Sequence, residues 1–289
     1  MITKLKRSLF VRVAAVLMLA GCGGASTDKQ FEGVPLERQD PGPTHVHGLG
    51  LDQRTGTLFI ATHTGLFEVP RGATKARRVG DRFQDTMGFT AVSPDLFLGS
   101  GHPDIREDAP PLLGLIKSAD QGRSWKPVSL RGKADFHILR SRGQNIYGYD
   151  SSHERLMTST DGGEGWTEND VPEAFLDLVV DPADASHLLA SGAATLYESR
   201  DRGKTWRTSG VVTGLLGWPS PQLIYLIEQR GRVQVARGTS ARWRPLGDIG
   251  GEAAALLAVS ERDLYVALHD GTIKRSTDGG RNWDVRSKP

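Results

Sequence analysis

The sequence predicts an all-β, six-bladed β-propeller, on three observations. The eight-residue pattern S-x-D-x-G-x-x-W occurs four times, at residues 118–125, 159–166, 199–206 and 276–283. Trp125, Trp166 and Trp206 are 41 and 40 residues apart, and the step from Trp206 to Trp283 is 77, two periods with Trp243 near the middle. From His45 onward, short β-type runs alternate with turn residues and no stretch carries a helical period. A repeat of this length with room for four short strands reads as a propeller blade. Residues 45–289 number 245 and hold six such units of about 41 residues. A seventh unit has no sequence left to build it.

One copy of the pattern reads as a hairpin turn between the third and fourth strands of a blade. The aspartates Asp120, Asp161, Asp201 and Asp278 can accept hydrogen bonds from nearby backbone amides. Glycine supplies the positive φ of a tight reversal, and Trp125, Trp166, Trp206 and Trp283 return to the apolar layer. The motif resembles the Asp-box, or bacterial neuraminidase repeat, of sialidase-like and sortilin-like β-propellers. The resemblance implies the fold, and it implies little about activity, because such turns punctuate propellers of unrelated function.

Taken in order, unit one has strands expected near 45–52, 57–62 and 66–69, and unit two near 89–92, 96–99 and 113–118. Unit three follows at 136–140, 146–149 and 155–159, and unit four at 175–180, 188–191 and 195–199. Unit five is read from 223–228 and 233–236 and ends at Trp243 without the motif. Unit six comprises 254–259, 264–268 and 272–276. The chain ends on the fourth strand of its last unit, so no strand exchange across the ring is expected.

Ahead of the blades lies a targeting segment. Lys4, Lys6 and Arg7 precede a short apolar run at 13–20, too short for a spanning helix of about 20 residues. The following L-A-G-C, with Cys22 the only cysteine, resembles the bacterial lipobox. The resemblance implies cleavage after residue 21, acylation of Cys22, and an exported cell-envelope lipoprotein held to the membrane by lipid. Residues 22–44 are rich in Gly, Ser, Pro and charge and read as a tether. Removing residues 1–21 takes four basic residues, so 36 fall to 32 against 34 acidic, a net charge of −2. The basic balance therefore belongs to the leader and gives no reason to expect a nucleic-acid partner. With one cysteine, the domain has no internal disulfide.

In a propeller, the start of each innermost strand shares a face with the loop between the second and third strands. That geometry, implied by the resemblance, gathers seven of the eight histidines on one face and leaves His187 on the other. His45, His47 and His137 start innermost strands, and His63, His102, His153 and His269 follow second strands. Imidazoles suit zinc and copper, and Met87 adds a soft donor for Cu(I). The first candidate ligands are His45, His47, His63 and His102, followed by His137, His269 and Met87. The competing reading is a set of loop histidines bonded to carbonyls, spread too widely around the ring to converge.

Asp135 and Asp177, at the start of neighbouring innermost strands, are the candidate carboxylate pair for glycoside hydrolysis. Aligned on their turns, they fall two residues out of step. The sialidase reading finds no F-R-I-P motif, and Tyr197-Glu198 leads to the opposite face. There is no G-x-S-x-G elbow and no phosphate-binding glycine loop. Three functions remain: an envelope propeller that binds a metal, protein or glycan, a glycoside hydrolase, and a membrane-complex assembly factor. The first is the reading adopted.

Overall fold

The computed structural model describes residues 40–239 and 242–289, and Cys22, the leader and most of the tether lie outside them. The compact unit begins at Pro41, ahead of the expected His45 boundary. Among the described residues, twenty-four strands form six four-stranded sheets, each built from four consecutive strands. The first blade is β1 (Val46–Asp52), β2 (Thr57–Thr62), β3 (Gly65–Val69) and β4 (Arg77–Arg78), and the second is β5 (Asp85–Ala91), β6 (Phe97–His102), β7 (Leu115–Ser118) and β8 (Lys126–Ser129). Next come β9 (Phe136–Arg142), β10 (Asn145–Asp150), β11 (Arg155–Ser159) and β12 (Thr167–Asp170), then β13 (Asp177–Val180), β14 (Leu188–Ser191), β15 (Leu196–Ser199) and β16 (Arg207–Gly210). The fifth blade is β17 (Leu215–Ser220), β18 (Leu223–Ile227), β19 (Arg232–Ala236) and β20 (Arg244–Asp248), and the sixth is β21 (Ala253–Ala258), β22 (Leu264–Leu268), β23 (Ile273–Ser276) and β24 (Asp284–Ser287). The chain is a six-bladed β-propeller.

One correction falls in the fifth blade. Its innermost strand is β17, which the sequence reading passed over in favour of Leu223 onward. Pro219 and Gly217 hide its period, but an innermost strand is a sheet edge, where a missing N–H breaks no ladder. The register shift between Gly217 and Ser220 is where the proline is accommodated.

The core is a ring of seams. Six apolar clusters each join two neighbouring blades, such as Leu98 and Leu115 with Phe136, Leu139 and Ile146 between blades two and three. Each repeat turn seals one seam. Ser159 Oγ accepts from Gly163 N at 2.8 Å and donates to Asp161 Oδ1 at 2.7 Å, while Asp161 Oδ1 accepts from Glu164 N and Gly165 N at 3.1 and 2.9 Å. Gly163 has φ 96°, and a Cβ there would stand 2.2 Å from Leu115 of the preceding blade, so both conformation and contact require glycine. Trp166 then packs on Phe136 with ring centroids 5.2 Å apart, and its Nε1 donates to Ser129 Oγ of blade two at 2.9 Å.

Where the motif is missing, other groups take over. In blade five Trp243 still packs into the seam with blade four. In blade one Arg286, from the last strand, donates to the carbonyls of Ala73, Val69 and Pro70 at 2.5, 3.1 and 2.9 Å. Ser287 Oγ adds a bond to Thr74 O at 3.0 Å. These side-chain bonds, the backbone bridge between Lys75 and Lys288, and β1 packed on β21 join blades one and six, and among the described residues no strand is exchanged between blades.

Candidate metal centre

All six innermost strands contribute to a central cavity of about 520 Å³, and His47, Met87 and His137 line it. The backbone explains why these three side chains sit there. In β1 the register shifts between Val46 and Gly48, in β5 between Thr86 and Gly88, and around β9 Phe136 and Ile138 pair with the consecutive residues Asp150 and Tyr149. Four neighbouring blades thus carry a β-bulge at the same place, since β21 also shifts between Ala253 and Ala255, and the extra residue is Ala254, His47, Met87 or His137. Bulges re-aim side chains and recur beside functional sites. The residue two before each bulged one is Glu252, His45, Asp85 or Asp135. Gly48 and Gly88 follow the bulge because the next blade lies close: a Cβ on Gly88 would stand 2.4 Å from Phe136 O.

The donors that converge are His47, His63 and Asp85, with one ligand atom from each lying within 4.8 Å of the others. His63 Nδ1 lies 2.8 Å from Asp85 Oδ2, and His47 Nε2 lies 3.8 Å from Asp85 Oδ1. The His63 ring meets His47 and His45 edge-on, at centroid distances of 4.4 and 5.1 Å. Burial holds the His47 imidazole down to about 4, with His63, His137 and His45 adding their charge to the effect. The His47 imidazole is therefore neutral over the physiological range.

Buried polar atoms in proteins are nearly always hydrogen-bonded. Among the described residues six buried side-chain polar atoms have no partner, and four belong to His47 (Nε2), Gln84 (Oε1), Asp85 (Oδ1) and Asp135 (Oδ1). All four residues lie in the segments that open the innermost strands of blades one to three. An arrangement with this many unpartnered polar atoms around the neutral His47 imidazole is suited to holding a cation.

Of the other sequence candidates, His102 and His137 join Asp135 instead, with Nε2 atoms 3.7 and 3.0 Å from Asp135 Oδ2. Burial alone would raise the Asp135 carboxyl, but the His137 hydrogen bond and the charges of His137 and His102 outweigh it and lower it. No ring contact or side-chain hydrogen bond ties His269 to these groups. His153 Nδ1 bonds Asp150 Oδ2 at 2.9 Å within its own blade. His187, on the far face, lies between Asp181 Oδ2 and Glu198 Oε1 at 2.8 and 2.7 Å. Asp177 accepts from Arg140 Nη2, Leu178 N and Leu216 N at 2.6, 2.8 and 2.8 Å, tying blades three, four and five together.

The candidate ligand that sequence reasoning missed is Asp85. Its signal was available: D-T-M-G at 85–88 repeats H-V-H-G at 45–48 one blade later, with the same glycine in the fourth position.

No family profile matches the sequence, and no curated protein matches it. Solved structures do. The chain is similar to a GH74 enzyme from Niastella koreensis with a TM-score of 0.62 and 15% identity, covering 84% of this chain and 45% of that one. It is similar to the GH74 xyloglucanase of Xanthomonas campestris with a TM-score of 0.55 and 18% identity, over 84% and 45% of the two chains. It is also similar to YCF48 from Cyanidioschyzon merolae, with a TM-score of 0.52 and 14% identity, over 85% of each chain. The chain spans less than half the length of the two GH74 proteins. At these identities the likeness is one of fold, and the chain stands beside both enzymes and YCF48 as a β-propeller.

Proposed function

We propose that this protein is a lipid-anchored cell-envelope propeller that binds a transition metal at the mouth of its central cavity. The observation that carries the proposal is the convergence of His47, His63 and Asp85 within 4.8 Å around buried, unpartnered donor atoms. Two imidazoles and a carboxylate suit zinc or Cu(II), and Met87 on the next bulge supplies a thioether for Cu(I). The lipobox-like segment at Cys22 would hold the domain at the membrane, where it meets exported metal.

A glycoside hydrolase would need two free carboxylates facing a sugar. Asp177 is committed to two buried amides and Arg140, and Asp135 to His137 and His102, which favours the binding reading. Isothermal titration of the metal-free protein with Zn(II), Cu(II) and Cu(I) tests the function. Binding should fall by at least about a hundredfold in the His47→Ala, His63→Ala double variant, as expected for lost ligands. Equal affinity in parent and variant would overturn it.

A further inference from the structure

We propose that a basic cleft beneath blades five and six, on the face of the repeat turns, binds an organic diphosphate. The cleft lies at the opposite end of the strands from the metal centre and shares no residue with it. The proposal stands whether or not a metal binds at the mouth.

The fifth blade lacks a carboxylate that the repeat turns carry. Its connection from β19 to β20 keeps their eight-residue frame, with A-R-G-T-S-A-R-W at residues 236–243 in place of S-x-D-x-G-x-x-W. Gly238 stands where the four repeat turns have aspartate, and Arg237 and Arg242 fill the second and seventh positions. A Cβ on Gly238 would meet nothing within 4 Å, so the space beside it is open. This turn has exchanged an anion for two guanidiniums.

The fold gathers more positive charge at the same place. Arg244 of β20 and, across the seam, Arg262 and Arg281 of blade six line the same cleft, whose volume is about 740 Å³. All five arginines are exposed. The acidic residues of the lining are Glu261 and Asp278, and each is tied to partners of its own. Glu261 Oε1 accepts from Ser220 Oγ. Asp278 accepts from Ser276 Oγ, Arg281 N, Asn282 N and Asn282 Nδ2 at 2.8, 3.0, 3.0 and 2.7 Å. Among the described residues, the side chains of Arg237, Arg242, Arg244 and Arg262 make no hydrogen bond or ion pair. Elsewhere arginines are matched: Arg54 bridges Asp52 and Asp95, and Arg275 meets both oxygens of Asp263.

A cleft lined by one sign of charge focuses its field and concentrates counter-ions. Five guanidiniums against two carboxylates leave an excess of three positive charges. A phosphate monoester carries about −1.5 to −2 at neutral pH, so one phosphate falls short of this excess and two linked phosphates come close to cancelling it. The planar guanidinium also matches phosphate oxygens two at a time. Beneath the arginines the lining is apolar. Leu223, Val235 and Leu246 are half-buried there, and Tyr225 is buried with its hydroxyl donated to Glu261 O at 2.6 Å. A charged rim over an apolar floor fits a diphosphate ester, with the organic group on the floor.

The test is isothermal titration of the full chain, stripped of metal by chelation so that the mouth cannot hold phosphate through an ion. The probes are pyrophosphate, orthophosphate, adenosine diphosphate and farnesyl diphosphate. One pyrophosphate per chain is expected, with orthophosphate weaker by about tenfold or more, as for the loss of a charged hydrogen-bonded contact. The Arg237→Gln, Arg242→Gln double variant should lose about tenfold or more in pyrophosphate affinity. The Arg230→Gln, Arg232→Gln double variant removes the same charge from the other end of blade five and should stay within about twofold, because distant surface charge is screened. All four side chains are exposed, and circular dichroism checks that both variants fold. An ester that binds more tightly than pyrophosphate supports the apolar floor, farnesyl diphosphate pointing to a lipid source and adenosine diphosphate to a nucleotide. Esters no tighter than pyrophosphate would overturn the organic part of the assignment. No pyrophosphate binding, or equal losses in the two double variants, would overturn the site.

Discussion

His47 Nε2 and Asp85 Oδ1 face each other at 3.8 Å from adjacent innermost strands, both buried and neither hydrogen-bonded. Two blades meet here through a pair of buried polar atoms without hydrogen bonds, and this pairing bears on the pH dependence of the protein's stability. Its consequences can be measured separately from metal binding.

The first concerns pH. The folded-state value of His47 is about 4, below the unfolded value near 6.5. As pH falls, the unfolded chain takes up the proton first. The stability contributed by neutral His47 is thus complete above about pH 6.5 and is lost as pH falls toward 4. The loss approaches about 3 kcal/mol. Denaturant midpoints of chelated protein should drop over that interval and drop less in His47→Gln. The same pH dependence in both proteins would contradict the assignment.

The second concerns the repeat turns. Ser159 is buried, and its Oγ is the acceptor for Gly163 N, so Ser159→Ala strands a buried amide. The expected cost is roughly 1–3 kcal/mol. Trp166→Ala should cost about 3 kcal/mol, the lower end for a large aromatic, because the ring is only partly buried. Asp161→Ala should also destabilise the turn. Metal affinity should survive in any of these variants that fold, since the turns lie at the opposite end of the strands. Urea titration and metal titration of the same preparations check both halves.

Asp177 gives a third expectation. It is 3% exposed and accepts from Leu178 N of its own blade, Leu216 N of blade five and Arg140 of blade three. Asp177→Ala leaves the guanidinium and two buried amides unmatched, at a cost of roughly 3–5 kcal/mol. A variant as stable as the parent would free this carboxylate for a catalytic role and reopen the hydrolase reading.

The period of the tryptophans made the blade count legible, because each ring fills one seam and the seams recur with the blades. Strand β17 was not legible, because an edge strand tolerates Pro219 and local propensity argues against it there. The histidine face could be read from strand order alone. Which histidines meet could not, because that depends on position around the ring. His63 and His102 occupy equivalent turns in adjacent blades, and each turns to the aspartate that opens the next blade's innermost strand, Asp85 or Asp135. The three bulges that aim His47, Met87 and His137 also leave little trace in a sequence read blade by blade. They appear once the segments 45–48 and 85–88 are set side by side.

The last prediction concerns which metal the mouth prefers. Met87 is the bulged residue of β5, between the bulges of His47 and His137, and it lines the same cavity. A thioether is a soft, uncharged donor that binds Cu(I) well and adds almost nothing for Zn(II). Leucine has nearly the same volume and no donor atom, so Met87→Leu removes the sulfur with little repacking. Cu(I) affinity, measured by competition with a chromogenic chelator, should fall by about tenfold or more in this variant if the sulfur ligates. Zn(II) affinity should stay within about twofold, since the imidazole and carboxylate donors remain. Equal losses for both ions would mean that the substitution disturbs the bulge and that the sulfur is no ligand. Unchanged Cu(I) affinity would leave His47, His63 and Asp85 as the whole of the centre, and a borderline divalent ion as its natural occupant.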